Sequence, residues 1–270
     1  MNTPSSLQAV KRLFSFPFAD PDWKNKFLIG SGLLFGSFVI PLLPMLPVFG
    51  YGARIVRQSA EGDTGESYKL PEWDDWNELF VDGLRLFGAN FFLTLPAALV
   101  MMVGWGMYMV GMLGTMSAGD NPQTLADSSP LFVLGFGAFW CSLSIGILLM
   151  FVTYLLVPVT QAHVAVKRSF GAFFHVGEWW PILRANIGSY LLILFLMLGM
   201  YMVYMFAFQI LYMTIILCMF LPVVIAPLSF YGLLVVYHLS GLAYAEGQGN
   251  VAIGEIDLAG GDPMDPALAL

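Results

Sequence analysis

The residues best suited to metal binding or nucleophilic catalysis are few in this sequence and far apart. The three histidines, His163, His175 and His238, share no short motif with each other or with the two cysteines, Cys141 and Cys218, which lie inside apolar stretches. A structural or catalytic metal needs several such ligands converging on one point. The sequence therefore predicts no metal site, and it predicts that both cysteines are small buried apolar residues.

Motifs for other common chemistries are also missing. The sequence contains no Gly-x-x-x-x-Gly-Lys-Ser/Thr phosphate loop, no His-Glu-x-x-His helix and no Gly-x-Ser-x-Gly turn. The 16 methionines show no regular spacing with histidine, so we expect them to pack in a core or to face lipid. We therefore expect no catalytic residues, no cofactor and no enzymatic activity.

The composition explains why reactive residues are so sparse. Hydrophobic residues make up 58% of the 270-residue chain and charged residues only 11%, against about 25% charged residues in an average soluble domain. The 23 phenylalanines, 11 tyrosines and 7 tryptophans argue against a disordered chain. The composition predicts an all-α, multi-spanning membrane protein, and a pI near 4.8 argues against nucleic-acid binding.

The charged residues are grouped so that they leave long uncharged stretches. No Asp, Glu, Lys or Arg occurs in four ranges: 27–53, 86–119, 128–166 and 185–245. A membrane-spanning helix needs about 20 apolar residues, so the last stretch is long enough for two spans. The prolines between Leu221 and Pro227 predict where it divides.

Lysine and arginine placement predicts the orientation of these spans. The loop 114–130 has no basic residue, whereas the flanking segments 54–85 and 167–184 are basic. Because basic loops stay in the cytoplasm, 114–130 should face outward, between spans near 86–113 and 131–157. Both termini are then predicted to be cytoplasmic, in the inner (plasma) membrane.

The first uncharged stretch allows two interpretations. Basic residues lie on both sides of it, and both groups are expected in the cytoplasm. A single membrane crossing would place them on opposite sides of the membrane. One interpretation is a short, partly re-entrant helical hairpin over residues 27–61, with its apex at Pro41–Pro47. The other is one kinked span with the N-terminus outside.

A weak internal repeat favours the hairpin. An acidic residue and a tryptophan precede each inbound helix, at Asp22-Trp23, Asp75-Trp76 and Glu178-Trp179. Each outbound helix is predicted to begin at a proline: Pro47, Pro158 or Pro227. The predicted fold is about six membrane-embedded helices in three helical hairpins, with amphipathic cytoplasmic connectors. Three regions follow: a cytoplasmic segment 1–26, a membrane domain 27–245 and an acidic cytoplasmic tail 246–270.

Residues 70–85, called the acidic segment below, form the most distinctive connector. Pro71 is suited to a first helical turn, and the apolar side chains after it recur at helical spacing. The pattern predicts an interfacial amphipathic helix with an apolar face and another, acidic face that is either solvated or docks a basic partner or a cation. The candidate docking or interfacial residues are Trp73, Asp74, Asp75, Trp76, Glu78 and Asp82.

Arg54 is the basic residue placed deepest in a predicted helix. If that helix starts at Pro47, Arg54 lies about 10 Å along it, at 1.5 Å per residue. Its side chain could snorkel to the membrane surface. The alternative is an intramembrane ion pair with Glu61 or the acidic segment.

Three stretches resemble a known family. Phe16–Trp23, Gly50–Arg57 and above all Leu70–Arg85 resemble the prokaryotic membrane family catalogued as domain of unknown function 4013, and the resemblance covers most of residues 14–245. It implies a multi-spanning prokaryotic membrane protein with no assigned catalysis, and it provides no active-site residues.

Two functions remain open from the sequence. The first is a scaffold or accessory subunit of a membrane complex, whose partners are the lipid bilayer and other membrane-protein subunits. The second is a transporter for an apolar or zwitterionic solute or a lipid. Because the uncharged stretches offer only polar residues such as Thr153 and Gln209, they lack the charged groups that ion-coupled carriers place within spans. We therefore place the scaffold first.

Overall fold

The computed structural model describes residues 14–62, 68–119, 122–212 and 220–258, and these residues form helices without any β-strand. Two short 3₁₀ helices, Phe16–Phe18 and Phe170–Phe174, accompany seven α-helices. The α-helices are α1 (Trp23–Gly36), α2 (Met45–Ala60), α3 (Trp76–Ala118), α4 (Pro122–Lys167), α5 (Val176–Ala185), α6 (Ile187–Tyr212) and α7 (Leu221–Leu258).

Four of these helices are long and apolar enough to cross a membrane: α3, α4, α6 through Ile210 and α7 through Val251. α1 and α2 have only 14 and 16 residues. At 1.5 Å per residue they are about 21 and 24 Å long, shorter than the ~30 Å hydrocarbon core of a bilayer. Among the described helices, the structure thus separates four long helices from a short N-terminal pair.

The short pair is interrupted where prolines are dense. Residues 37–44 are not helical, and Leu42 adopts the left-handed conformation with φ of 70°. α2 begins at Met45, inside the predicted apex, because Pro47 can occupy a first helical turn, where the missing amide proton costs nothing. α1 and α2 contact each other and both pack against α7.

The described chain divides into two compact units. One unit contains residues 90–157, the later part of α3 and the earlier part of α4. Inside it, a Cβ on Gly104 would meet Ser142, and one on Gly111 would meet Phe132. Residue numbers increase along α3 while those of their contacts on α4 decrease, so the two helices run antiparallel. The glycines allow the two backbones to lie close together.

The other unit contains the described residues up to Ala89 and from Pro158 onward, and α7 is its central helix. α7 packs against α1, α2, α5 and α6. It approaches the backbone of α2 closely, since a Cβ on Gly241 would lie 2.6 Å from the carbonyl oxygen of Val56. A side chain at position 241 would therefore force these two helices apart.

Several predicted boundaries are wrong. Pro158 and Pro227 lie inside α4 and α7 and begin neither helix. Long apolar helices tolerate internal proline because neighbouring groups satisfy the freed carbonyl. The division of the last apolar stretch near Leu221 is confirmed, since α7 begins there.

The predicted loops are also shorter than expected. α3 extends through Ala118 and α4 starts at Pro122, so most of the predicted 114–130 loop is helical. The predicted acidic tail from Glu246 continues α7 as helix through Leu258, and its remainder lies outside the described residues. Glu246 accepts a hydrogen bond from Asn186 Nδ2 at 2.8 Å, which ties this part of α7 to the start of α6.

Candidate functional site

The first half of the acidic segment is not helical but lies extended against α1 and α2. Tyr51 of α2 donates a hydrogen bond from its hydroxyl to the carbonyl oxygen of Pro71 at 2.9 Å. Trp73 stacks on Tyr51 with ring centroids 4.1 Å apart and planes 9° apart, and its Nε1 donates to the carbonyl oxygen of Lys26 at 2.9 Å. These contacts fix the segment before α3 begins.

A buried ion pair holds the same segment to α1. Lys26 Nζ lies 2.8 Å from Asp20 Oδ2, 2.6 Å from Glu72 Oε1 and 2.7 Å from the carbonyl oxygen of Leu70. These three acceptors match the three donors of an ammonium group. Asp20 Oδ2 also accepts the backbone amide of Leu70 at 2.8 Å. The pair therefore bridges the N-terminal region, α1 and the acidic segment.

Burial and hydrogen-bonding partners shift the pKa values of Asp20 and Lys26 in opposite directions. Burial alone would raise the pKa of Asp20 and lower that of Lys26. The hydrogen bonds from Lys26 and from the backbone outweigh burial and lower the pKa of Asp20, while Asp20 and Glu72 raise the pKa of Lys26. Both groups are thus held in their charged forms.

Arg54 forms the second anchor. Its guanidinium donates to the Asp74 carboxylate, to the carbonyl oxygen of Glu72 at 2.9 Å and to Glu78 Oε2 at 3.1 Å. Its side chain is only 13% exposed. The structure thus selects the ion-pair alternative for Arg54, with the acidic segment as partner. An intramembrane position for this ion pair stays a prediction.

Arg57, one helical turn further along α2, forms the third anchor. It donates to Asp82 Oδ2 at 2.7 Å and to the carbonyl oxygen of Ala165 at 3.3 Å. Asp82 is only 3% exposed, and its other oxygen accepts from Arg85 at 2.7 Å. Arg168 adds a contact to Glu78 at 3.1 Å. α2, α3, α4 and the residue after α4 therefore meet at one charge cluster.

This cluster, called the charge cluster below, pairs every one of its members within the chain. Its acids are Asp20, Glu72, Asp74, Glu78 and Asp82, and its bases are Lys26, Arg54, Arg57, Arg85 and Arg168. Buried carboxylates and guanidiniums are tolerated only when they are paired and hydrogen-bonded. The arrangement is suited to holding helices in place, because each of its charged groups already has an oppositely charged partner within the chain.

The acidic segment differs from the predicted amphipathic helix. α3 begins at Trp76 rather than near Pro71, and it buries Leu79, Asp82 and Leu86, whereas Trp76 is 44% exposed. The prediction placed Glu78 and Asp82 on a face separate from the apolar one. These two acids instead turn inward because α2 presents arginines at positions 54 and 57, spaced to meet them.

The remaining predicted residues have local roles. Asp75 precedes α3, with φ of 44°, and its Oδ1 accepts the backbone amide of Glu78 at 3.2 Å. This is an N-terminal cap, a role for which aspartate is well suited. Asp74 is 72% exposed and pairs with Arg54. Glycines allow the close approach, since a Cβ on Gly83 would lie 1.9 Å from the carbonyl oxygen of Leu46.

The predicted site residues do not include Asp20, Tyr51 or Arg57. The spacing of Arg54 and Arg57 matches one helical face, as does that of Glu78 and Asp82. The matching spacing of these two pairs is the sequence feature from which their contact could have been predicted. Nothing local, by contrast, distinguishes Asp20 from the exposed Asp22 two residues later.

Two histidines make buried contacts of a different kind. His238 Nδ1 lies 2.7 Å from Ser59 Oγ, and its ring stacks on Phe16. Because Ser59 is fully buried, this pair does not present a nucleophile to solvent. His163 Nδ1 lies 2.8 Å from the Tyr244 hydroxyl.

The described residues include one of the two cysteines and all three histidines. In the part of the chain that the structure describes, no group of three or more His, Cys, Asp or Glu residues could hold a metal ion. Cys141 is exposed on α4, which contradicts the prediction that it is buried. It lies in a helix long enough to span, so its apolar surroundings are not supplied by the protein core. Cys218 lies outside the described residues.

Comparison with known proteins gave one match. Residues 33–213 match the family described as Protein of unknown function (DUF4013), a range that includes the acidic segment, Arg54 and Arg57. Searches of curated proteins and of solved structures each gave no match. The matched range is narrower than the resemblance seen in the sequence and leaves out Asp20 and Lys26.

Proposed function

The chain belongs to the DUF4013 family of proteins of unknown function, and from this premise we propose that it is a non-catalytic scaffold or accessory subunit of a membrane complex. The observation that carries the proposal is the charge cluster. Its acids are neutralised by bases of the same chain, while many apolar side chains of the described long helices are exposed. Such surfaces are covered in a membrane by lipid or by another subunit.

α6 offers the most exposed of these surfaces. Only 11% of its most apolar 18-residue stretch is buried, against 50% for α7. Phe195, Met202 and Phe206 are exposed and recur at helical spacing on one face, with Gly199 between them. A small residue between large ones favours close helix–helix packing in membranes.

A native-expression experiment tests the subunit role. The full-length tagged protein is extracted in mild detergent and its complexes are separated by size, with stoichiometry from quantitative mass spectrometry. We expect a stoichiometric partner that Phe195→Ala with Phe206→Ala removes without lowering the melting temperature. Val223→Ala with Val224→Ala, a matched change on the exposed start of α7, should retain it. A monodisperse protein with no stoichiometric partner would contradict the proposal.

Topology within the membrane is part of the proposal. Four spans with a short, re-entrant α1–α2 pair would give six membrane-embedded helices and place both termini in the cytoplasm, in the inner membrane. With Cys141 and Cys218 replaced by alanine, single cysteines at Ser5 and Gly65 should resist an impermeant thiol reagent on intact cells. A cysteine at Ser117 should react. Labelling at Ser5 would instead support one kinked span over residues 27–61.

A transporter is the second candidate, and one observation favours it. An open groove of about 400 Å³ in the 90–157 unit is lined by Ala98, Met101, Met102, Trp105, Phe139, Ser142 and Leu143. Ser142 donates its hydroxyl proton to the carbonyl oxygen of Phe139, so the lining favours an apolar solute or acyl chain. Ala98→Trp should fill the groove and abolish uptake of such a solute into proteoliposomes. Unchanged uptake would remove this candidate.

A further inference from the structure

The segment from Lys167 to Arg184 connects α4 to α6, two helices long and apolar enough to span a membrane. A short connection between two spans lies at a membrane surface. It carries three cations, Lys167, Arg168 and Arg184, and one carboxylate, Glu178. Its charge is therefore opposite in sign to that of an anionic leaflet.

The same segment exposes apolar side chains next to those cations. One face of α5 is buried in the protein through Trp179, Ile182 and Leu183. Another face leaves Trp180 and Val176 exposed, with Phe174 exposed just before the helix. A helix with an outward apolar face flanked by cations is typical of interfacial lipid binding. Tryptophan in particular favours the headgroup region of a bilayer.

Arg184 differs from the other cations of this segment. Lys167 lies 3.1 Å from Glu178, and Arg168 lies 3.1 Å from Glu78 although its side chain is 60% exposed. Arg184 is exposed and has no carboxylate partner among the described residues. Its guanidinium lies 5.1 Å from the ring centroid of Trp180. The ring orients a planar group that binds phosphate through two parallel hydrogen bonds.

We propose that Arg184 and Trp180 form a binding site for the headgroup phosphate of an anionic phospholipid in the leaflet that this segment faces. The Trp180 ring and the exposed Phe174 contact the lipid at the headgroup boundary, while the Arg184 guanidinium binds its phosphate. The charge cluster makes this arrangement possible, because its bases neutralise the acidic segment, which would otherwise repel an anionic headgroup.

The test uses the purified full-length protein in uncharged detergent micelles, titrated with phosphatidylglycerol or with phosphatidylcholine of the same chain length. Each melting temperature is compared with the lipid-free value of the same variant, and bound lipid is counted by native mass spectrometry. We expect phosphatidylglycerol to stabilise the wild type at lower concentration than phosphatidylcholine. Since one basic side chain near an anionic surface contributes about 1 kcal/mol, Arg184→Gln should weaken the apparent phosphatidylglycerol affinity about fivefold.

Two further variants separate a specific site from general attraction. Arg184→Lys keeps the charge but loses the paired hydrogen bonds, so its affinity should lie between those of wild type and Arg184→Gln. Lys69→Gln removes an exposed cation outside this segment and should leave phosphatidylglycerol binding unchanged. An equal loss with Lys69→Gln would overturn the proposal in favour of nonspecific attraction.

Inorganic phosphate is titrated as the last ligand. Saturable stabilisation by phosphate alone, at the concentration effective for the lipid, would show an anion site that needs no membrane and would overturn the assignment. Equal responses of the wild type to the two lipids would also overturn it. If Arg184→Gln lowers the lipid-free melting temperature, bound phosphatidylglycerol is counted on Arg184→Lys instead. A count below that of the wild type supports the site, and an unchanged count overturns it.

Discussion

The two units of the chain are stabilised internally by different interactions. The unit built around α7 has a charge cluster with buried Lys26, Arg57 and Asp82, together with a stacked Tyr51–Trp73 pair. Residues 90–157 contain no Lys, Arg or Glu at all, and their two helices pack through glycines. Long apolar helices can satisfy their backbone within lipid and need only close packing. The short α1 and α2 helices, by contrast, are fixed by polar contacts to the segment that follows them.

The largest expected effect comes from breaking the buried end of the charge cluster. Asp82→Asn removes the nearer carboxylate of the buried Arg57 and leaves it Glu78 Oε1 at 3.8 Å, which should lower the free energy of unfolding by about 3–5 kcal/mol. Asp74→Asn is the matched control, because Asp74 is exposed and Arg54 keeps Glu78. The control should cost less than about 1 kcal/mol. Equal losses in an SDS-unfolding titration would show that burial of the pair does not matter.

The 90–157 unit, which contains no basic residue, should instead be sensitive to a single methyl group. A Cβ on Gly135 would lie 2.5 Å from the carbonyl oxygen of Met107, so Gly135→Ala should cost about 1–3 kcal/mol. A Cβ on Gly137, two residues later, would meet nothing within 4 Å. Gly137→Ala should be neutral or stabilising by up to about 1 kcal/mol, since alanine favours helix. The same sign of change in both variants would contradict glycine-mediated packing.

A smaller effect separates the two neighbouring tryptophans. Trp73→Leu loses the stack on Tyr51 and the hydrogen bond to Lys26, and should lower stability by about 2 kcal/mol. Trp76 is exposed and lies at the start of α3, so Trp76→Leu should cost less than about 1 kcal/mol. Thermal melting followed by circular dichroism compares the two. A larger loss for Trp76 would restore the interfacial face predicted from the sequence.

The smallest effect is on pH dependence. Because the folded pKa of Asp20 lies below its ordinary value of 3.8, its contribution to stability is present above that value and is lost as the pH falls through the folded pKa. Lys26 is raised above 10.5, so its contribution is present below that pH and is lost at higher pH. Melting temperatures across pH should therefore fall at both extremes. Asp20→Asn should flatten the acidic limb, and an unchanged limb would exclude Asp20 as its source.

Much of the helical architecture could be predicted from the sequence. Uncharged stretches longer than 20 residues have few folded alternatives to a long helix, and the division near Leu221 follows from proline chemistry. Pro158 and Pro227 misled the prediction because one lost hydrogen bond costs less than breaking a long packed helix. The sequence around each proline does not show which of these two free-energy costs is larger.

The charge cluster was harder to predict because its partners are distant in sequence. The acids of the segment resemble a solvated face until Arg54 and Arg57 are placed opposite them. Arg57 reaches Ala165, 108 residues away, and nothing in either local pattern specifies that contact. Burial of Asp82 therefore depends on the tertiary fold, while the cap at Asp75 depends only on neighbouring residues.

The most direct test of the account is a double-mutant cycle between Arg57 and Asp82. The claim is that the acidic segment is held by bases of the same chain. Arg57→Leu and Asp82→Leu should each be strongly destabilising, whereas the double variant should recover about 2 kcal/mol relative to the sum of the single losses. SDS-unfolding titrations of the four proteins measure this coupling. Losses that add without recovery would contradict the claim that these side chains pair.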